Sequence, residues 1–284
     1  MIKRNLKMYS TVKWTRCLIN NSISVLLYLL LIGNTLSGQN TSQVYGIVGE
    51  AIIAGDVSPN QAKFQALNDA KINALKAAGI GEQIKSYQLL FTSQLKNDYS
   101  QFFSSDIQSE IQGAIQSYSI KSERIYCKND FEVVCNVTID AAVIKYDTKP
   151  DISFDANIEG IKAVYNNDDK LTFKLRSTQV CYLTVFNITD KEAFVLYPNA
   201  YEKQTKLNPL ELTKYPTVKI DYTLHTDMKQ QETNRLIFVL TKTQLPFIKM
   251  DKSQVTTNEN IFNWIYSIMP DQRKVEYITL SIQK

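Results

Sequence analysis

Histidine is almost missing from this chain, which has a single one and only four cysteines in 284 residues. A zinc site needs four ligands, drawn mostly from these two residue types at characteristic spacings. The side chains available after residue 38 follow no such spacing: Cys127, Cys135, Cys181 and His225. The sequence therefore predicts no metal ion and no other cofactor.

Glycine-rich phosphate-binding motifs are also missing. The nine glycines form neither G-x-x-x-x-G-K-[ST] nor G-x-G-x-x-G, the loops that cradle phosphate groups. No G-x-S-x-G turn presents a serine nucleophile either. His225 has Asp227 two residues further on but no such serine to activate, so we expect it at a strand end or in a loop. The sequence predicts no catalytic residue.

Acidic residues are missing from the first 38 positions, which hold five basic ones. Of the 32 basic residues in the whole chain, 27 therefore remain in the rest of it, against 28 acidic residues. A body with this balance has no basic surface on which to neutralise phosphates. The sequence excludes a nucleic-acid partner.

No hydrophobic run is long enough to span a bilayer as a helix, which takes about 20 apolar residues. The apolar stretch Ile23–Gly33 is about half that length, and it lies between the basic start and a short polar segment of small residues. This pattern predicts a secretory signal peptide, residues 1–38, cleaved before Gly38 or Gln39. The alternative is a retained signal anchor. We expect an exported protein without a membrane span after signal removal, periplasmic or associated with the outer envelope of a bacterium.

Export makes a disulfide feasible, because compartments outside the cytoplasm are oxidising. Cys127 and Cys135 flank KNDFEVV, a predicted hairpin, and can pair if its turn is longer than Asn129-Asp130. The alternative is that both are small buried side chains. Cys181 lies in VCYLTVF and is expected in the core.

One helix is clearly indicated, by SPNQAKFQALNDAKINALKAAG at residues 58–79. Ser58 and Gln61 form a capping box at its start, with Pro59 in the first turn. Gly79 suits the left-handed residue after its end. Alanines recur every four residues and form a ridge of small side chains, which lets a helix lie close against a sheet. They are Ala62, Ala66, Ala70 and Ala74.

The rest of residues 39–146 has the composition of strands. QVYGIVGEAII precedes the helix, and SIKSERIY forms a predicted β-hairpin with the alternating FEVVCNVTI. The order of GEAII, ALKAAG and YCKNDFEVVCNVTID resembles the N-terminal domain of the flagellar assembly protein T and related small bacterial envelope lipoproteins. The resemblance covers Gln43 to Lys145. It implies an assembly module without known catalytic residues.

A second domain is predicted at residues 161–284, after a polar, proline-containing linker at residues 147–160. Strand patterns recur through it, and NENIFNWIYSIMP predicts one late helix, capped by Asn258 and ended by Pro270. The predicted fold class is therefore α+β. A domain with a helix packed on an antiparallel sheet precedes a mostly β, sandwich-like domain.

Residues 171–247 resemble the bacterial domain of unknown function numbered 4384. The likeness rests on VCYLTVFNITDKEAFVLYPN, AYEKQTKLNPLELTKYPTVKI and NRLIFVLTKTQLPF, in that order. Lys191 and Leu212-Thr213 stand where the family usually has glycine. Members are often appended to envelope, sensor or protease-like partners, so the resemblance implies recognition or scaffolding.

The strand end LYPN has two interpretations. As a corner of a sheet, Pro198 ends the ladder and Asn199 turns the chain. As a site, a polar and aromatic rim grips a peptide or a glycan, since loops on a rigid sheet often carry binding residues. The candidate rim consists of Tyr197, Asn199, Tyr201 and Lys203.

Together these patterns predict an exported two-domain protein of the cell envelope. It binds an envelope protein or glycan and works as a non-catalytic assembly module. Two alternatives remain open: a hydrolase of envelope polymers with carboxylate-based chemistry, and a purely structural spacer. The oligomeric state is not indicated.

Overall fold

The structure is a computed structural model of the chain. It describes residues 40–80, 112–129, 132–189, 192–226 and 230–284, together with Gln88. The predicted signal peptide lies outside these residues, as do Lys191 and Asp227. Residues Asn40–Lys284 belong to one compact unit.

Two α helices and fifteen strands account for the regular structure of the described residues. Helix α1 spans Pro59–Ala77, helix α2 spans Asn258–Ser267, and a short 3-10 helix follows at Pro270–Gln272. No helix in this part of the chain is both long and apolar enough to cross a membrane. The strands are β1 Thr41–Ile53, β2 Gly113–Asn129, β3 Glu132–Lys145, β4 Ala156–Glu159, β5 Val164–Asn166, β6 Lys170–Leu171, β7 Phe173–Ser177, β8 Cys181–Ile188, β9 Ala193–Tyr197, β10 Lys206–Leu207, β11 Thr213–Tyr215, β12 Tyr222–Thr223, β13 Gln231–Thr241, β14 Val255–Thr256 and β15 Arg273–Gln283.

The predicted ends of α1 are confirmed. The Ser58 hydroxyl accepts a hydrogen bond from the Gln61 N–H at 3.2 Å, and the Gln61 side chain accepts one from the Ser58 N–H at 2.8 Å. This reciprocal pair satisfies two N–H groups that a helix start would otherwise leave unpaired. After the helix, Gly79 adopts φ +83°, the left-handed conformation that glycine tolerates best.

The helix lies directly on the first sheet, whose strands are antiparallel in the order β1-β3-β2. The four alanines of its ridge are completely buried. Opposite them is Gly49 in β1, where an added Cβ would lie 2.1 Å from both the Ala66 carbonyl oxygen and the Ala70 nitrogen. The predicted close packing is therefore confirmed, and it fixes the position of the side chains that follow along α1.

The second half is built on a seven-stranded sheet. Its order is β14-β9-β8-β13-β15-β5, with β10 pairing to β8, and β5 is parallel to β15. Two smaller sheets, β11-β7-β4 and β12-β6, belong to the same half of the chain.

Apolar side chains form two cores in which the seven-stranded sheet takes part. One core joins it to the small sheets, and here Phe173 stacks on Tyr215 at 4.8 Å and meets Phe238 edge-on at 5.1 Å between ring centroids. The other core combines Phe186 and Ile237 of this sheet with α1, the first sheet and α2. The α+β class, with a helix on a sheet and a β-rich part with one late helix, is confirmed.

The segment predicted as a linker packs against the second half. Phe154 is buried in the core of the small sheets, and β4 pairs with β7. The Asp151 carboxylate accepts a hydrogen bond from the Lys242 ammonium at 2.5 Å, and this bond is the main reason why the pKa of Asp151 lies far below its usual range. The division of the chain into two domains at residues 147–160 stays a prediction.

Candidate functional site

The four predicted rim residues do not share a surface. Tyr197 is completely buried, its hydroxyl donates a hydrogen bond to the Gln204 carbonyl, and its ring meets that of Tyr215 edge-on at 5.0 Å. Tyr197 therefore belongs to the core behind the loop and cannot contact a partner. Tyr201, with 74% of its surface exposed, and Lys203 do reach solvent.

Asn199 is used by the loop itself. Its side-chain amide donates to the Leu196 carbonyl at 3.1 Å and to the Glu202 carboxylate at 3.0 Å. Its side-chain oxygen accepts from the N–H groups of Tyr201 and Glu202, both at 2.9 Å. This is the arrangement by which asparagine closes a turn. The geometry supports the corner of a sheet.

A buried carboxylate that the sequence analysis did not single out, Glu202, holds this corner to the next segment. Only 2% of it is exposed, and it accepts hydrogen bonds from the Thr217 N–H, the Thr217 hydroxyl, the Tyr222 hydroxyl and the Asn199 amide. Burial raises the pKa of this carboxyl, but the hydrogen bonds, that of Tyr222 foremost, outweigh it and leave the pKa below its ordinary value. Glu202 is therefore a buried, charged carboxylate that joins the LYPN corner to Thr217 and Tyr222 by hydrogen bonds.

Two substitutions in the loop distinguish the interpretation of LYPN as a corner from its interpretation as a binding rim. Asn199→Ala is expected to lower the free energy of unfolding by about 1–3 kcal/mol, because it leaves loop donors and acceptors unpaired. Tyr201→Ala, two residues away on the exposed side of the loop, is expected to change it by less than about 0.5 kcal/mol. Urea unfolding measures both. Equal effects of the two substitutions would contradict the assignment of Asn199 to the corner.

The only histidine forms a surface pair. Its Nδ1 lies 3.0 Å from an Asp168 carboxylate oxygen, and more than half of each side chain is exposed. Asp227, which follows His225 by two residues, lies outside the described residues. Within the ranges that the structure describes, no three His, Cys, Asp or Glu side chains are grouped to hold a metal ion.

Cys127 and Cys135 are both free, so the disulfide weighed from the sequence is not formed. In the hairpin of β2 and β3, Cys127 pairs with Val133, and Cys135 pairs with Ile125. The two cysteines are thus diagonal neighbours on adjacent strands. The Cα atoms of such neighbours lie about 7–8 Å apart in an ideal antiparallel pair, which is too far for a disulfide. Cys135 and Cys181 are buried, as expected for small apolar side chains, and Cys127 is exposed.

A cleft of about 320 Å³ opens where α1, the first residues of β2 and α2 meet. Its apolar wall comes from Leu75, Ala114, Ile115 and Tyr266. Polar groups converge on the same space. They are contributed by Lys71, Gln116, Ser117, Lys249, Glu259, Asn260 and Asn263. An apolar cleft with a few convergent polar groups is the usual form of a binding site.

Lys71, which lines the cleft, has only 4% of its surface exposed. Its Nζ lies 3.0 Å from the Glu259 carboxylate and 4.5 Å from the centre of the Tyr118 ring. The buried ammonium is therefore stabilised by a carboxylate and by the face of an aromatic ring. Glu259 keeps 40% of its side chain exposed, so the pair is open on the carboxylate side.

Both ends of helix α2 are held by hydrogen bonds. Thr257 caps its start by accepting the Asn260 N–H at 3.2 Å, so the predicted cap at Asn258 is one residue too late. At the other end, the Arg273 guanidinium donates to the carbonyls of Ile265 and Ile268. Because both ends are held, Glu259 is presented to Lys71 by a rigid element.

The Lys71–Glu259 pair escaped the sequence analysis because 188 residues separate its members. One signal was available for Lys71. It lies three residues before Ala74 and four before Leu75, on the buried side of α1, and a charge on such a face requires a partner. Nothing in the sequence indicated which carboxylate that partner would be.

The chain folds as an α+β protein with a cleft lined by α1, β2, α2 and Lys249. Residues 164–244 match the family described as Domain of unknown function (DUF4384), which confirms the resemblance expected for residues 171–247. No curated protein is similar enough to the chain to count as a match. The match contains the LYPN corner and Glu202, whereas every residue of the cleft lies outside it. The resemblance of the first half to the flagellar assembly protein T stays a prediction.

Proposed function

We propose that the protein is an exported, non-catalytic binding module of the bacterial cell envelope, and that it holds a segment of a protein partner in the cleft beside Lys71. The observation that carries the proposal is the nearly buried ammonium of Lys71 in a cleft that combines an apolar wall with polar side chains. A buried charge is costly to fold around, and a role in binding accounts for its place.

The size of the cleft favours a short segment. Its volume of about 320 Å³ is at the lower end of the range for ligand pockets, about 300–1,000 Å³. It can take a side chain or a chain terminus together with a small apolar group. A glycan is the less suitable partner, because the aliphatic wall of Leu75, Ala114 and Ile115 offers no hydrogen bonds to its hydroxyl groups.

A non-catalytic role is supported by the surroundings of the candidate acid–base groups. His225 and Asp168 form an exposed pair, outside the cleft. Of the cleft-lining residues that the structure describes, Glu259 carries the only carboxylate, whereas glycoside hydrolysis by the usual mechanism employs two. Export is supported by the basic and apolar pattern of residues 1–38.

Filling the cleft tests the proposal. Asn263 lines it from α2, and Asn263→Trp is expected to reduce partner capture by at least about tenfold, since the indole occupies the space that the partner needs. The measurement is a crosslinking pull-down of residues 39–284 from native envelope extracts, quantified for the discrete partner that the unmodified protein captures.

The matched control is Lys203→Trp, which adds the same indole at an exposed position of the LYPN corner. It is expected to leave capture unchanged. Thermal unfolding of both variants verifies that they are folded. Capture that survives Asn263→Trp but is lost in Lys203→Trp would place binding at the corner and overturn the proposal.

A further inference from the structure

The carboxylate of Glu259 shows which chemical group the cleft accepts. It lies on the ammonium of Lys71 at 3.0 Å, yet 40% of its side chain faces solvent. Loss of Glu259 alone would leave the buried ammonium of Lys71 without this carboxylate, which is costly. A second carboxylate that takes the same place keeps Lys71 paired, while the partly exposed Glu259 moves into water.

The charges that line the cleft favour a monoanion. Among the described residues that line the cleft, Lys71 and Lys249 carry positive side chains and Glu259 a negative one, so one positive charge is left over. A ligand with a single negative charge balances it. Beside this position, the aliphatic wall of Leu75, Ala114 and Ile115 offers contact to a short apolar body.

We infer that the cleft recognises a carboxylate attached to a short apolar body, and that this carboxylate displaces Glu259 from Lys71. The inference rests on the proposed function and specifies the recognised group. Two sources share this chemistry, the C-terminus of a peptide and a free short-chain carboxylic acid. In either case Glu259 acts as an internal competitor, and its removal strengthens binding.

The test uses residues 39–284 with two probes and their uncharged counterparts. N-acetyl-leucine imitates a peptide C-terminus and is compared with N-acetyl-leucinamide. Hexanoate represents the free acid and is compared with hexanamide. Dissociation constants are measured by titration calorimetry for the unmodified protein, Glu259→Gln and Lys71→Met. Met keeps the apolar stem of Lys71 without the charge, so this variant is expected to fold.

At least one acid is expected to bind the unmodified protein, and Glu259→Gln is expected to bind it at least about tenfold more tightly. Lys71→Met and both amides should show no binding. A preference for N-acetyl-leucine over hexanoate identifies a peptide terminus, and the reverse identifies a free acid. Equal binding of acid and amide, or no gain in Glu259→Gln, overturns the inference.

The failure of this inference differs from the failure of the proposed function. If no acid binds, but Asn263→Trp still abolishes partner capture, the cleft is the binding site and the carboxylate is not the recognised group. If capture survives Asn263→Trp while the acids bind as expected, the cleft holds a small acid and not a protein segment.

Discussion

Gly49→Ala is expected to lower the free energy of unfolding by at least about 3 kcal/mol, at the upper end of what overpacking in a core costs. The added Cβ would lie 2.1 Å from two backbone atoms of α1, the Ala66 oxygen and the Ala70 nitrogen. Backbone cannot rotate away as a side chain can, so the helix must move off the sheet. Because Lys71 follows Ala70, this displacement also disturbs the cleft. Chemical denaturation measures the loss.

Gly46→Ala is the matched control in the same strand. Gly46 has φ +62° but open space around its Cβ position, so alanine there meets only the cost of a left-handed conformation, about 1–2 kcal/mol. Gly49→Ala should therefore be clearly more damaging than Gly46→Ala. A smaller effect at Gly49 would show that α1 does not lie directly against β1.

Glu202→Ala is expected to lower the free energy of unfolding by about 3–5 kcal/mol. It leaves several buried hydrogen-bond donors unpaired, and each unpaired donor costs about 1–3 kcal/mol. The donors are on Thr217, Tyr222 and Asn199. Glu211→Ala is the control. Glu211 is exposed and accepts one amide hydrogen bond from Asn208, so its loss should change stability by less than about 0.5 kcal/mol. Thermal and urea unfolding at pH 7 compare the two.

The hydrogen-bonded carboxylate of Glu202 also predicts that the free energy of unfolding depends on pH. The pKa of Glu202 is lower in the folded protein than its ordinary value of 4.5, so the folded state binds the proton less readily than the unfolded chain does. The stability that this carboxylate contributes is complete above pH 4.5 and is lost as the pH falls through the folded pKa. The difference in unfolding free energy between the unmodified protein and Glu202→Gln should therefore shrink from pH 7 to pH 3. A constant difference would mean that Glu202 is not held as a carboxylate.

Local patterns in the sequence were sufficient to predict helix α1 and the hairpin of β2 and β3. The capping box of Ser58, the left-handed Gly79 and the alanine ridge depend on residues a few positions apart, where helix geometry fixes the contacts. The alternation from Val133 to Ile139 likewise predicted β3 and its hairpin with β2. Which elements cover the two faces of the large sheet was not predictable from any single strand.

The candidate site was harder to predict, because its contacts join distant parts of the chain. Tyr197 was assigned to the rim because loops on a rigid sheet often carry binding residues, but its ring faces Tyr215 in the core. Glu202 lies in a polar loop, and its hydrogen-bond partners Thr217 and Tyr222 are 15 and 20 residues further along the chain. Lys71 and Glu259 meet only because α1 and α2 pack into one core.

The central claim is that a partner binds in the cleft beside Lys71, and not at the LYPN corner. Site-specific photo-crosslinking in cells tests it most directly, with the photoreactive residue placed at Gln116 in the cleft or at Tyr201 on the corner. Both positions are exposed. We expect a discrete crosslinked partner from Gln116 and none from Tyr201. A partner crosslinked from Tyr201 alone would contradict the account and return the binding site to the corner.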